Sequence, residues 1–355
     1  MNVFFNDNSP NHPKSVKKSA LHNRINQQEL KAQISKDKTQ RQTISFYRYI
    51  SIPQVHEFRD YLYLAFKELG VLGRVYLAEE GINAQISVPV SQLDKFKILL
   101  NNIPTLKDLR LNMAIEEPLT SFWVLKIKVR PQIVADGITD PGFSVNKSAP
   151  YLQAIQMNQI IEQGKAILVD MRNHYEYEVG HFKGAIEIPA NTFKEQLPMA
   201  KDMLQGHQDK PIVMYCTGGI RCEKASAYLI HHGFKQVYHL EGGIIHYTRQ
   251  AQNNGLPNYF KGKNFVFDGR MAERISDDVI AHCHQCQKPS DTHTNCRYDP
   301  CHLLFIQCES CAHTMQGCCS QACLEGLTNH TQSNSQGSHF NKDKEALKRL
   351  NLLHL

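Results

Sequence analysis

The apolar positions sort the chain into units with different periods. From Ile44 the run ISFYRYISI has the composition of a strand. Val55, Phe58, Leu62, Phe66 and Leu69 then recur at spacings of three and four, which predicts an amphipathic helix opened by Pro53 and ended by Gly70 and Gly73. RVYLAEE and INAQISVPV read as strands around a hairpin at Gly81. Leu93, Phe96, Leu99 and Leu100 mark a second helix, and FWVLKIKVR closes the unit near Arg130. The order βαββαβ predicts a ferredoxin-like α+β domain over residues 43–131. In its last strand Leu125, Ile127 and Val129 alternate with Lys126, Lys128 and Arg130. One face is therefore core. The other is a basic ladder, which suits either an RNA backbone or a plain solvated surface.

Residues 132–150, with Gly137, Pro141, Gly142 and Pro150, read as a linker. A second unit, 151–257, begins with a helix carrying Leu152, Ile155, Ile160 and Ile161. The buried strands AILVD (166–170) and PIVMYC (211–216) follow. A turn then runs into a helix before Ala227, and KQVYHLEGGI gives a strand and a turn at Gly242–Gly243. Strands alternating with helices predict an α/β unit on a parallel sheet. Residues 258–325 are cysteine-rich and loop-like. Residues 1–42 read as a disordered arm with a short helix near 27–34, and 326–355 as a polar tail with a short amphipathic helix. No internal repeat is visible.

Composition narrows the class. With 355 residues, 41% apolar and 21% charged, the chain matches a soluble multidomain protein at about 150 residues per domain. No apolar run approaches the roughly 18 residues of a membrane span. The N-terminus lacks the apolar stretch of a secretory signal, so a cytoplasmic protein is expected. The net charge is +6. Residues 1–41 hold eight Lys and Arg against three Asp and Glu, so most of the excess sits in the arm. Such an arm suits nucleic acid or is only a solvated leader.

None of the eleven cysteines precedes Cys216, and nine fall between Cys283 and Cys323. That clustering points to a metal site plus a reactive thiol rather than a disulfide framework. The pairs are Cys283 with Cys286, Cys296 with Cys301, Cys308 with Cys311, and Cys319 with Cys323. Their spacing fits one or two structural zinc ions, for instance with first pair joined to third and second to fourth. His282, His284, His293, His302 and His313 are spare ligands. Reduced or disulfide-bonded thiols are the alternative.

The sequence IVMYCTGGIRCEKASAYL carries the chemistry. A buried strand ends at Cys216. The loop Thr217, Gly218, Gly219, Ile220, Arg221 turns sharply, and a helix begins near Cys222. The glycines let backbone amides converge at a helix N-terminus, and Arg221 adds positive charge, so the thiol should ionise readily. Cys216-x4-Arg221 is one residue shorter than the loop of cysteine phosphatases, which favours a sulfur or oxygen adduct over a bound phosphate. Cys222 either resolves an oxidised Cys216 or packs in the first helical turn. The loop resembles the rhodanese active loop. ILVDMRNHYEYEVGHFKGAIEIP, with Asp170, Arg172 and His181 as supporting residues, and HLEGGI resemble its flanking motifs. Asp170 also reads as an N-cap or turn acceptor with Arg172 its partner.

The succession GRVYLAEEGINAQISVP, SFWVLKIKVR, DMRNHYEYEVGHF, MYCTGGIRCEKASA, HLEGGII, GKNFVFDGRMAERIS and CHQCQKPSDTHTNC resembles the bacterial tRNA uridine hydroxylases of the rhodanese superfamily, from about Phe46 to Cys323. It departs from that pattern at Gly269, where the family usually has Glu. The resemblance implies an oxidoreductase that makes 5-hydroxyuridine at the wobble position of tRNA from molecular oxygen. It makes Cys216 the essential, persulfide-type thiol and the anticodon loop the partner, with no DNA or membrane partner. Thiolate addition to uracil C6 would make C5 electron-rich, or Cys216 would instead carry oxygen as a per-oxidised sulfur; Arg221 and the loop amides would hold the developing anion, and Lys126, Lys128 and Arg130 would grip phosphates. No flavin or nicotinamide fingerprint is present. The rival expectations are a thiosulfate or persulfide sulfurtransferase and an RNA-binding module with an inert loop.

Overall fold

The computed structural model describes Ile34 and residues 37–115 and 121–329. Most of the expected basic arm, with its helix near 27–34, and the tail beyond 329 lie outside the described residues.

The first sheet holds β1 (Arg41–Tyr49), β2 (Leu72–Ala78), β3 (Gly81–Pro89), β4 (Asn112–Met113) and β5 (Leu125–Val129), in the order β4-β1-β3-β2-β5. The expected closing strand is corrected here. The two-residue β4, too short for periodicity to reveal, pairs antiparallel with β1 and completes the βαββαβ order. The basic strand β5 is a fifth strand at the opposite edge, parallel to β2. Helices α1 (Val55–Glu68) and α2 (Leu93–Asn102) cover one face, burying Leu62, Phe66, Phe96 and Leu100 against Ile44, Phe46, Val75 and Ile127. Strand alternation turns the polar residues to the other face. There the register lines up Asn112, Ser45, Gln85, Arg74 and Lys126 in one row across all five strands.

The second sheet is wholly parallel. It comprises β6 (Tyr151–Leu152), β7 (Ile167–Asp170), β9 (Ile186–Glu187), β10 (Ile212–Tyr215) and β11 (Val237–Leu240), in the order β6-β11-β10-β7-β9. Leu152, expected on a helix, lies on edge strand β6, and α3 (Ala154–Gln163) leaves Ile155 half exposed. Central β10 is buried along its whole length, which explains its unbroken apolar run. Helices α4 (His174–Glu178), α5 (Phe193–Met203), α6 (Ile220–His231) and α7 (Gly243–Asn254) complete the unit. Between β7 and β9, β8 (Gly180–Phe182) leaves the parallel sheet. It pairs with β12 (Phe260–Phe265), which also pairs with β13 (Ala272–Arg274), so the C-terminal segment is hydrogen-bonded into the α/β unit. That segment ends in the hairpin β14 (His293–Asn295) and β15 (Leu304–Ile306), then α8 (Glu309–Thr314) and α9 (Gln321–Asn329). Three of the five residues of its small core (Leu303, Phe305, Cys296, Cys318 and Cys319) are cysteines.

Candidate active site

Cys216 follows the carboxyl end of β10, and α6 starts four residues later. Two glycines make the turn. Gly219 sits at φ 101°, and a Cβ there would lie 2.7 Å from the Tyr47 hydroxyl. Gly243 sits at φ 66°, and its Cβ would lie 2.4 Å from the Cys216 carbonyl oxygen. This gives HLEGGI its physical meaning: the second glycine lets α7 come close enough for the Ile244 amide to donate to that carbonyl at 3.0 Å.

The thiol is fully buried, and the Gly219 amide donates to its Sγ at 3.2 Å. Burial pushes its pKa up. A hydrogen bond from Cys222, the Arg221 charge and the loop amides outweigh that and bring it down to about 6. The reverse holds for Cys222, whose thiol is held well above its ordinary value by burial and by the neighbouring Cys216. Cys216 is thus the thiolate and Cys222 the donor.

Arg221 does not reach freely into the cavity. Its guanidinium makes a bidentate pair with Glu176 on α4, at 2.7 and 2.9 Å. Glu176 has no exposed surface. Burial raises its carboxyl, but Arg221 prevails and leaves it below the usual range. Glu176 also accepts from the Asn173 amide, as part of a capping box, and from Thr217. The sequence reading missed this residue. Its signal was Asn173 followed three residues later by Glu176.

The other expected site residues do not line the cavity over the thiol. Asp170 and Arg172 form a fully buried pair, with Oδ1 of Asp170 accepting from the Arg172 amide and Nε at 2.9 Å each. They brace the end of β7. His181 stacks on Tyr177 at 3.9 Å and bonds to its carbonyl; it does not line the cavity. Lys126 and Lys128 are exposed on β5, and Arg130 is exposed just beyond its end.

The cavity over Cys216 measures about 390 Å³, within the range of small-molecule sites at roughly 300–1,000 Å³. Three parts of the chain wall it. The α/β unit contributes the thiol loop, and the C-terminal segment contributes Phe267, Asp268 and Arg270. Arg270, next to Gly269 in the sequence, is anchored by ion pairs to Asp268 and Glu273. The polar face of the first sheet supplies the facing wall. Several of its residues touch the loop directly. Asn112 Nδ2 donates to Gly218 O at 3.4 Å, Tyr49 donates to Ile220 O at 3.2 Å, and Tyr47 donates to Glu223 at 3.0 Å. Lys224, almost fully buried, ties α6 to Glu80 and Asp136.

Three family models match this chain. A UPF0176 acylphosphatase like domain covers residues 41–133, a rhodanese-like domain covers 153–250, and a rhodanase C-terminal model covers 261–324. Proteins named tRNA uridine(34) hydroxylase from Yersinia pestis (strain Pestoides F) and Yersinia pseudotuberculosis serotype O:1b are 61% identical over 86% of this chain and 87% of their own length. The one from Yersinia enterocolitica serotype O:8 is also 61% identical, with 88% of its length covered. This chain belongs to the tRNA uridine(34) hydroxylase family.

Two further groups accompany the family's thiol loop. Cys283, Cys286, Cys308 and Cys311 bring their sulfurs within 4.8 Å of one another, and so do Cys296, Cys301, Cys319 and Cys323. First pair meets third and second meets fourth. Among the described residues Cys318 stays outside both quartets, and no histidine joins either one. His284 instead bonds to Glu178 at 2.6 Å. Four soft sulfur donors at that reach can hold a metal ion in a closed set. Among the described residues no helix is long and apolar enough to cross a membrane.

Proposed function

We propose that this chain hydroxylates C5 of uridine at position 34 of tRNA anticodons, with dioxygen as co-substrate and Cys216 as the reacting thiol. The observation that carries the reading is 61% identity over 86% of the chain to proteins bearing that activity in their name. The chemistry suits the site. A thiolate adds to C6 of uracil, C5 becomes the carbon of an enolate, and that carbon takes up oxygen. Loss of the C5 proton and of the thiolate restores the ring. One oxygen atom enters the base and the other becomes water, consuming two electrons and two protons from a reductant. The Gly219 amide and the Cys222 thiol hold the sulfur as thiolate. Arg221 acts on it by charge, its guanidinium being committed to Glu176. Tracts of Lys126, Lys128 and Arg130 hold phosphates, and an anticodon base leaves its stack at little cost. The cysteine quartets hold structural zinc, and the protein works in the cytoplasm, where its tRNA is.

The test is nucleoside mass spectrometry of tRNA from cells lacking this protein, restored with wild type or with Cys216→Ser. Wild type is expected to restore a uridine heavier by one oxygen, and Cys216→Ser to restore none. Unchanged uridine with wild type, together with cyanide-dependent thiocyanate formation from thiosulfate, would move the reading to sulfur transfer.

A further inference from the structure

Where it lines the cavity, the polar face of the first sheet holds two side chains without a hydrogen-bond partner among the described residues. Ser45 on β1 and Gln85 on β3 are directly opposed cross-strand partners. Both line the cavity over Cys216, and both are partly exposed there. Neither side chain has a hydrogen-bond partner among the described residues. Their neighbours on the same face are all committed. Asn83 donates to Ile133 O at 3.1 Å, Arg74 donates to Phe267 O at 2.7 Å, Asn112 donates to Gly218 O, and Tyr47 is fixed by Glu223. A hydroxyl and a carboxamide thus stand free at the centre of a surface whose rim is fastened. Beside them Tyr47 presents a half-buried ring whose hydroxyl is held, so the ring does not swing.

The chemistry of uracil fits this surface. Its Watson–Crick edge carries one donor, N3–H, between two carbonyl acceptors. A carboxamide offers one acceptor and one donor side by side and can pair with such an edge in two bonds. N3 lies across the ring from C6. A uracil gripped at N3 by the sheet therefore turns its C5–C6 edge toward the opposite wall, which is the thiol loop.

We propose that Gln85, assisted by Ser45, binds the Watson–Crick edge of the target uracil while Tyr47 stacks on its face, so that the first sheet sets both base identity and the approach of C6 to Cys216. The proposal rests on the hydroxylase reading above. It makes Gln85 the specificity residue for the reaction and the basic edge at Lys126 the continuation of the same row.

The experiment uses the full chain and three anticodon stem-loop RNAs, identical except for uridine, N3-methyluridine or cytidine at position 34. Binding is measured by fluorescence anisotropy for wild type, Gln85→Leu and Gln85→Glu. A bidentate base contact is worth about 1–3 kcal/mol, so the methyl group is expected to weaken wild-type binding about tenfold. Gln85→Leu should bind the uridine RNA about tenfold more weakly and no longer distinguish it from the methylated RNA, the non-additivity that marks a direct pair. Gln85→Glu keeps an acceptor for N3–H but repels the uracil carbonyls. It should favour a cytidine stem-loop over the uridine one. A Gln85→Leu chain that still discriminates the methylated RNA as wild type does overturns the assignment. A wild-type chain that binds the uridine and methylated RNAs equally overturns it too. A wild-type chain that binds none of the RNAs overturns the tRNA reading itself.

Discussion

At the scale of the residue, the proposed chemistry rests on the contrast between two thiols six positions apart. Cys216 is brought down to about 6 against the cost of burial, while Cys222 is pushed up and keeps its proton. At neutral pH the Cys216 thiol is therefore ionised, and the thiolate is lost as pH falls through about 6. Alkylation of the Cys216 peptide by iodoacetamide, followed by mass spectrometry across pH, should show a midpoint near 6. Cys222→Ala removes a hydrogen bond to the thiolate, so that midpoint should move upward and the rate at neutral pH should fall. A midpoint that stays put in Cys222→Ala contradicts this division of roles. Cys216, Gly219 and Arg221 were legible because they lie in one short segment whose spacing carries its own geometry. Glu176 was not, because it lies 45 residues before Arg221 and only the fold brings the two together. Only burial shows that its carboxylate holds the loop's guanidinium.

At the scale of the element, the sequence predicted the first domain's helices and long strands but misplaced its closing strand. Leu125, Ile127 and Val129 alternate so clearly with their basic neighbours that β5 took the place of β4 in the expected order. β4 has two residues and no period to read, yet it delivers Asn112 to the thiol loop. The alternation itself was read correctly: Leu125 and Ile127 are buried, and Lys126 and Lys128 are exposed. Placing β5 beside β2 puts those lysines on the face that walls the cavity rather than on a remote surface. Lys126→Glu with Lys128→Glu should weaken stem-loop binding about equally for different sequences. It should also flatten the dependence of binding on salt, because phosphate contacts release counterions. An unchanged salt slope would return this strand to a solubilising role.

At the scale of the whole molecule, the site belongs to no single unit. The thiol loop comes from the α/β unit, its facing wall from the first sheet, and Phe267, Asp268 and Arg270 from the C-terminal segment. That last segment has a core of a few apolar residues around cysteine and carries both sulfur quartets. The purified chain should carry about two zinc ions by elemental analysis, one for each quartet. Stripping them should unfold the segment and open the cavity, read as faster hydrogen exchange in 258–329 and lost stem-loop binding. Exchange that chelation leaves unchanged would mean that the quartets do not hold the segment. The units were legible one by one, since each has its own period and motif. Their convergence was not, because Tyr47, Gln85, Asn112 and Arg270 are ordinary residues until the fold sets them around Cys216. The most direct measurement of the central claim is the oxygen itself. Cells lacking the chain, restored with wild type and grown under heavy-isotope dioxygen, should yield uridine carrying the heavy atom at C5, and Cys216→Ser should yield none. Hydroxyuridine that forms without the heavy isotope, or that forms equally with Cys216→Ser, would contradict the account.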